Sequence, residues 1–185
     1  MTTALVLVDI QNDYFPSGSM SLENMDAAAA NAARLLAAFR ERRLPTVHVR
    51  HLSVRPGATF FVPGTAGADI HASVAPHAGE PVVEKNFPNA FRATDLDQRL
   101  RAAGADHLVI AGAMSHMCID ATIRAAFDHG FKCTVAEDAC ATRPLEFAGR
   151  TLPARDVHAA FMAALAAPYA KIVRAEACIA GLGGA

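Results

Sequence analysis

The chain has 185 residues, 52% of them hydrophobic and only 6% aromatic, with a formal net charge of −1. That length suits a single domain over 1–185 whose apolar core needs no disulfide or metal staple, and the composition is that of a globular rather than a disordered chain. No basic stripe is present to neutralise phosphates, which argues against nucleic acid, and no apolar run reaches the roughly 18 residues of a membrane span.

In chain order, Ala4 to Val8 is a short continuous apolar run ending at Asp9, the pattern of a strand buried on both faces of a parallel sheet. From Ser21 to Arg43 the positions Leu22, Met25, Ala29, Ala32, Leu36 and Phe39 recur at helical spacing, with Ser21 as N-cap. Pro45 punctuates, and Thr46 to His51 reads as the second strand. Residues 52 to 81 carry so many prolines and glycines that a long irregular excursion is expected, and such excursions in compact domains are usually functional.

Pro81 to Lys85 is the third strand, and further on Thr94 precedes a helix that runs through Ala103 and is stopped by Gly104. His107 to Ala111 is a buried strand, Met117 to His129 a helix, and Phe131 to Ala136 a further strand. After a loop from Glu137 to Arg150, Pro153 opens a helix with Val157, Phe161 and Leu165 inward, and Lys171 to Val173 closes the pattern. Alternating strands and helices indicate a three-layer α/β/α sandwich with a mainly parallel sheet.

Four cysteines, Cys118, Cys133, Cys140 and Cys178, show neither CxxC spacing nor the density of a disulfide scaffold, so reduced thiols are expected. Met1 runs directly into a strand without a signal-peptide pattern, and a cytoplasmic location is the corresponding expectation.

Cys118 lies just after the strand that ends near Gly112, at a strand-to-helix junction. Backbone N–H groups and the helix dipole favour a thiolate at such a place, although a buried cysteine is also an ordinary small hydrophobe. Ligands in open α/β sheets bind beyond the carboxyl ends of the strands, where Asp9 and Lys85 also fall. Singly, Asp9 reads as a turn former and Lys85 as a solvated charge. Together with Cys118 they make chemical sense as a proton acceptor, a cation and a nucleophile.

Three segments, Val8-Asp9-Ile10-Gln11-Asn12-Asp13-Tyr14-Phe15, Glu84-Lys85 with Phe91 and Leu96, and Gly112-Ala113-Met114-Ser115-His116-Met117-Cys118, resemble the isochorismatase-like cysteine hydrolases. The resemblance runs from Ala4 to about Val173. It implies a Rossmann-like six-stranded sheet of order 3-2-1-4-5-6, a catalytic triad of Asp9, Lys85 and Cys118, and hydrolysis of an amide or related C–N bond through a thioester-type intermediate. It also implies a cis peptide between Ala113 and Met114, with the N–H groups of Met114 and Cys118 forming an oxyanion hole.

No cofactor is expected. The nicotinamidase branch uses an Asp-x-His motif after strand two to bind a metal, whereas this chain reads Val47-His48-Val49-Arg50-His51. His48 and His51 face opposite sides of a strand, which leaves His71 and His77 as the further ligand candidates. Vinyl-ether cleavage, as in isochorismatase proper, does not require the cysteine that is present here. A catalytically silent scaffold with a redox-sensitive thiol is the reading from another class.

Pocket walls are expected from Phe15, Phe60, Phe61, Phe87 and Phe91, with ordinary core packing the alternative for the Phe60-Phe61 pair. His116 either contacts substrate or caps the helix. The partner expected is a small-molecule substrate, in a homo-oligomer. On the implied strand order Lys85 stands two strand spacings of about 4.8 Å from Asp9, so its place at the site depends on how the chain carries it inward.

Overall fold

The computed structural model describes residues 2–182, so the ends of the span 1–185 lie outside the described residues. Strands β1 (Thr2–Val8), β2 (Thr46–His51), β3 (Val82–Lys85), β4 (Ala105–Ala113), β5 (Lys132–Ala141) and β8 (Lys171–Val173) form one sheet of order β3-β2-β1-β4-β5-β8. Every pairing in it is parallel. This is the doubly wound order 3-2-1-4-5-6; the sixth place falls to β8 because β6 (Leu145–Phe147) and β7 (Arg150–Leu152) make a separate antiparallel hairpin.

Two cores flank the sheet, and strand alternation divides residues between them. Ala4, Val6 and Val8 of β1 face one core while Leu5 and Leu7 face the other. Helices α2 (Leu96–Ala102), α3 (Asp120–Asp128) and α4 (Ala154–Leu165) supply Leu96, Leu100, Ile123, Met162 and Leu165 to the first. Helices α1 (Met25–Glu41) and α5 (Ala175–Gly181) supply Leu35, Leu36, Phe39, Ala175 and Cys178 to the second. No helix among the described residues is long and apolar enough to cross a membrane.

Four elements differ from the sequence reading. Helix α1 begins at Met25 rather than Ser21, because Asn24 takes a left-handed φ of 59° and Glu23 is drawn into a bridge with Thr142. Strand β5 continues past Ala136 to Ala141, since a register shift opposite Ile110 to Gly112 lets Cys140 and Ala141 pair with Gly112 and Ala113. Residues Ser115–Ile119 form a wide π-type turn ahead of α3. The short helix α5 was not expected, and the apolar residues it buries are few.

Strand order reverses between β1 and β4, whose C-terminal ends therefore open a crevice. Gly112 permits their close approach: its φ is 132°, and a Cβ there would overlap the Val8 carbonyl oxygen. The long excursion 52–81 folds over this end of the sheet and is tied down by buried polar side chains. Gln11 donates to the carbonyls of His51 at 2.9 Å and Ala68 at 2.8 Å and accepts from the His51 N–H at 2.7 Å. Asp13 accepts from the Phe61 N–H at 2.6 Å.

Candidate active site

Asp9, Lys85 and Cys118 come together beneath the crevice, each no more than 2% exposed. Asp9 follows β1 with a φ of 54°, a left-handed turn of the backbone where the chain leaves the sheet. Lys85 ends β3, the edge strand, in register with His51 of β2. Its side chain crosses β2 at the level of His51, and Nζ ends 2.7 Å from Asp9 Oδ2, 2.9 Å from His51 Nδ1 and 3.3 Å from Cys118 Sγ. The length of the lysine side chain thus answers the two-strand separation.

Burial pushes the Cys118 thiol up from its ordinary value, the Asp9 charge pushes it further, and Lys85 opposes both. The resting group is therefore a thiol, not the helix-stabilised thiolate that the strand-to-helix junction suggests from sequence. For Lys85, burial acts against the charge, and the Asp9 carboxylate 2.7 Å away acts for it. His51 is lowered to about 4 by burial and by Lys85, so it is neutral and accepts from Nζ. Burial raises the Tyr14 hydroxyl well above its usual range, with the Asp9 charge adding.

The peptide between Ala113 and Met114 is cis. Met114 and Cys118 border a cavity of about 590 Å³, which has the size of a small-molecule site. Its walls are largely apolar, from Tyr14, Met20, Val54, Phe60, Phe87, Pro88 and Met117, with His51, Ser53, Arg55, Asn86 and Arg143 as the polar groups.

Of the aromatic residues expected to wall the pocket, Phe60 and Phe87 do so and three do not. Phe15 is buried in a stack on His71, with ring centroids 3.6 Å apart. Phe61 is fully buried behind the wall, 4.6 Å from Tyr14 and 5.1 Å from Phe60 between ring centroids. Phe91 turns into the core beside Phe131 and His129. His116 also lies outside the lining, since its Nδ1 is hydrogen-bonded to Thr142 Oγ1 at 2.6 Å.

Tyr14, Met20, Val54, Arg55, Met117 and Arg143 line the cavity without having been singled out from sequence. Tyr14 lies within the first motif, which was a signal; Arg143 gave none, because it depends on the unexpected extension of β5.

A model of the isochorismatase domain matches residues 3–177. The chain belongs to the isochorismatase family. This isochorismatase-family chain is 51% identical over 177 residues to the uncharacterized family protein YddQ of Bacillus subtilis, covering 96% of this chain and 98% of that one. A solved isochorismatase hydrolase structure from Oleispira antarctica is 54% identical and superposes with a TM-score of 0.94 over 97% of each chain. A maleamate amidohydrolase of Pseudomonas putida is 33% identical over 154 residues, covering 76% of this chain and 72% of that enzyme.

The metal site of the nicotinamidase branch does not fit these residues. His48 is buried away from the crevice with Nε2 3.0 Å from Glu80 Oε2, and His71 is engaged by Phe15 and Ser73. His77 directs its backbone N–H to Glu80. Among the described residues, the group of His, Cys, Asp or Glu donors close enough to share an ion is Asp9, His51 and Cys118, within 4.8 Å of one another. The Lys85 ammonium lies at hydrogen-bond distance from all three, so a cation already occupies their common centre.

Proposed function

We propose that the chain is a cysteine-dependent amidohydrolase acting on a small molecule, with Cys118 as nucleophile. The observation that carries this reading is the position of Lys85 Nζ, 2.7 Å from Asp9 and 3.3 Å from Cys118, the member of the three that lines the cavity. Because the thiol is protonated at rest, its proton passes to Asp9 as sulfur attacks the amide carbon. Lys85 remains charged throughout and holds the carboxylate toward the sulfur.

The carbonyl oxygen becomes an oxyanion, and the N–H groups of Met114 and Cys118 are the donors assigned to it. Collapse breaks the C–N bond, with Asp9 returning its proton to the departing amine and leaving a thioester on Cys118. Water then attacks the thioester; Asp9 takes the water proton and delivers it to sulfur as the acid product leaves. The likeness to an enzyme named for amide hydrolysis supports this bond class.

Cys118→Ala should abolish release of ammonia or amine from any amide the protein hydrolyses, while the folded state persists. Mass spectrometry should detect an acyl adduct on Cys118 in the unsubstituted protein during turnover. Undiminished turnover in Cys118→Ala refutes the assignment.

A further inference from the structure

We propose that His51 is the donor that holds the hydrolytic water against the thioester on Cys118. The proposal rests on the hydrolase reading above and assigns a residue to the second half of that reaction. An ammonium has protons to give and no lone pair, and Lys85 Nζ meets Asp9 Oδ2 at 2.7 Å, His51 Nδ1 at 2.9 Å and Cys118 Sγ at 3.3 Å. His51 Nδ1 therefore accepts. The ring is neutral and carries its single N–H on the other nitrogen, so Nε2 is a donor.

That donor has no protein acceptor among the described residues, because the hydrogen bonds of His51 use Nδ1 and the main chain. Nor is it sealed off: the ring is half-buried and lines the cavity together with Cys118. The residue is held from behind by Gln11, which has no exposed surface, accepts from the His51 N–H at 2.7 Å and donates to its carbonyl at 2.9 Å. A donor fixed at both its main chain and its far ring nitrogen needs no reorganisation to meet an incoming oxygen.

Sheet order sets this donor apart from those of the oxyanion hole. β2, which ends in His51, and β4, which leads to Met114 and Cys118, are the two neighbours of β1 and so flank Asp9 from opposite sides. With the carbonyl oxygen directed toward the β4 side, the amine leaves and the water enters on the β2 side, both in reach of the Asp9 that serves them. The water oxygen accepts from His51 Nε2 through one lone pair and attacks the thioester carbon with the other. Asp9 takes one water proton, the C–S bond breaks as the tetrahedral intermediate collapses, and the proton passes to sulfur. His51 keeps its own proton throughout.

The test uses p-nitrophenyl acetate, which times the two halves of the reaction separately: nitrophenolate release follows acetylation, and peptide mass mapping after acid quench follows the decay of acetyl-Cys118. His51→Asn keeps an acceptor for Lys85 near the place of Nδ1 and removes the Nε2 donor, whereas His51→Gln sets an amide N–H near the place of Nε2. Acetyl-Cys118 should decay about tenfold more slowly in His51→Asn, the scale of one lost hydrogen bond, with acetylation little changed. His51→Gln should recover part of that rate. Hydroxylamine, a stronger nucleophile than water, should discharge the adduct equally in His51→Asn and in the unsubstituted protein. First-order decay of the adduct does not depend on how much of the protein is folded.

Unchanged decay in His51→Asn overturns the role of His51 and leaves Cys118 as nucleophile. So does an equal slowing of acetylation, decay and hydroxylamine discharge, which marks a general distortion of the site. Absence of acetyl-Cys118 from both proteins, with ester turnover undiminished in Cys118→Ala, refutes the hydrolase reading and this proposal together.

Discussion

Lys85 Nζ, carried by the edge strand β3, ends 2.7 Å from Oδ2 of Asp9 at the end of β1, with β2 lying between the two strands. The ammonium is enclosed by Asp9, His51 and Cys118 and is the counter-charge for a carboxylate with no exposed surface. Lys85→Met should therefore lower stability by about 3–5 kcal/mol, the usual result of stripping a buried charge of its partner. Turnover should be lost in the fraction that still folds. Urea denaturation followed by an ammonia-release assay on refolded protein measures both; full activity in Lys85→Met contradicts the arrangement.

Gly112 faces Val8 at the point where strand order reverses, and its φ of 132° is poorly accessible to other residues. Gly112→Ala should destabilise by about 4 kcal/mol or more, since strain and overlap with backbone act together. The denaturation midpoint is the readout, and a change of no more than about 0.5 kcal/mol, the ordinary range for surface substitutions, would show that β1 and β4 have room to separate.

His51 titrates near 4 in the folded protein, below its ordinary value of 6.5. The unfolded chain therefore binds the proton more readily between those values, and stability is fully present above 6.5 and declines as pH falls through 4. Protonated His51 also repels Lys85, so activity should fall on the acid side as the folded-state value is approached. Thermal melts at stepped pH, compared with His51→Gln, should show a weaker acid decline in the variant; identical pH profiles count against this role.

Glu80 joins Arg40, His48 and the backbone of His77, with Arg40 holding its carboxyl down at about 2. Glu80→Gln weakens an ion pair and a histidine contact distant from the cavity. A loss of about 1–3 kcal/mol in stability is expected with unchanged KM, because charged hydrogen bonds contribute on that scale. A changed KM would mean that the His48 cluster communicates with the site.

Phe87 and Phe91 stand only four positions apart and have opposite duties. Phe87 lines the cavity, whereas Phe91 packs on Phe131 in the core. Phe91→Ala should cost about 3–5 kcal/mol of stability with little change in KM. Phe87→Ala should raise KM with a smaller stability loss, and the reverse pattern would contradict both placements.

The strands of the sheet were legible because buried runs such as Ala4 to Val8 and His107 to Ala111 announce themselves between turn signals, whereas their order in the sheet came from the family resemblance. Asp9, Lys85 and Cys118 were legible as a set because three separate motifs name them in order. The reach of Lys85 across β2 was not, since strand spacing gives the distance to be covered but not the direction of a side chain. Phe15, Phe61 and Phe91 misled for a related reason: an aromatic near a site and an aromatic beneath it have the same local sequence signal. Arg143 was hidden by a register shift in β5, a tertiary adjustment with no residue of its own to mark it.

Strand β3 has four residues and a single neighbour in the sheet, β2. Short edge elements with few partners sit at the low end of the range of local opening free energies within a fold. Fraying of this one strand would withdraw Lys85 from Asp9, and hydrogen exchange should then show β3 opening more readily than β1, β4 and β5. On the proposed mechanism, a local equilibrium at the sheet margin would meter turnover, and inactivation by denaturant should precede global unfolding.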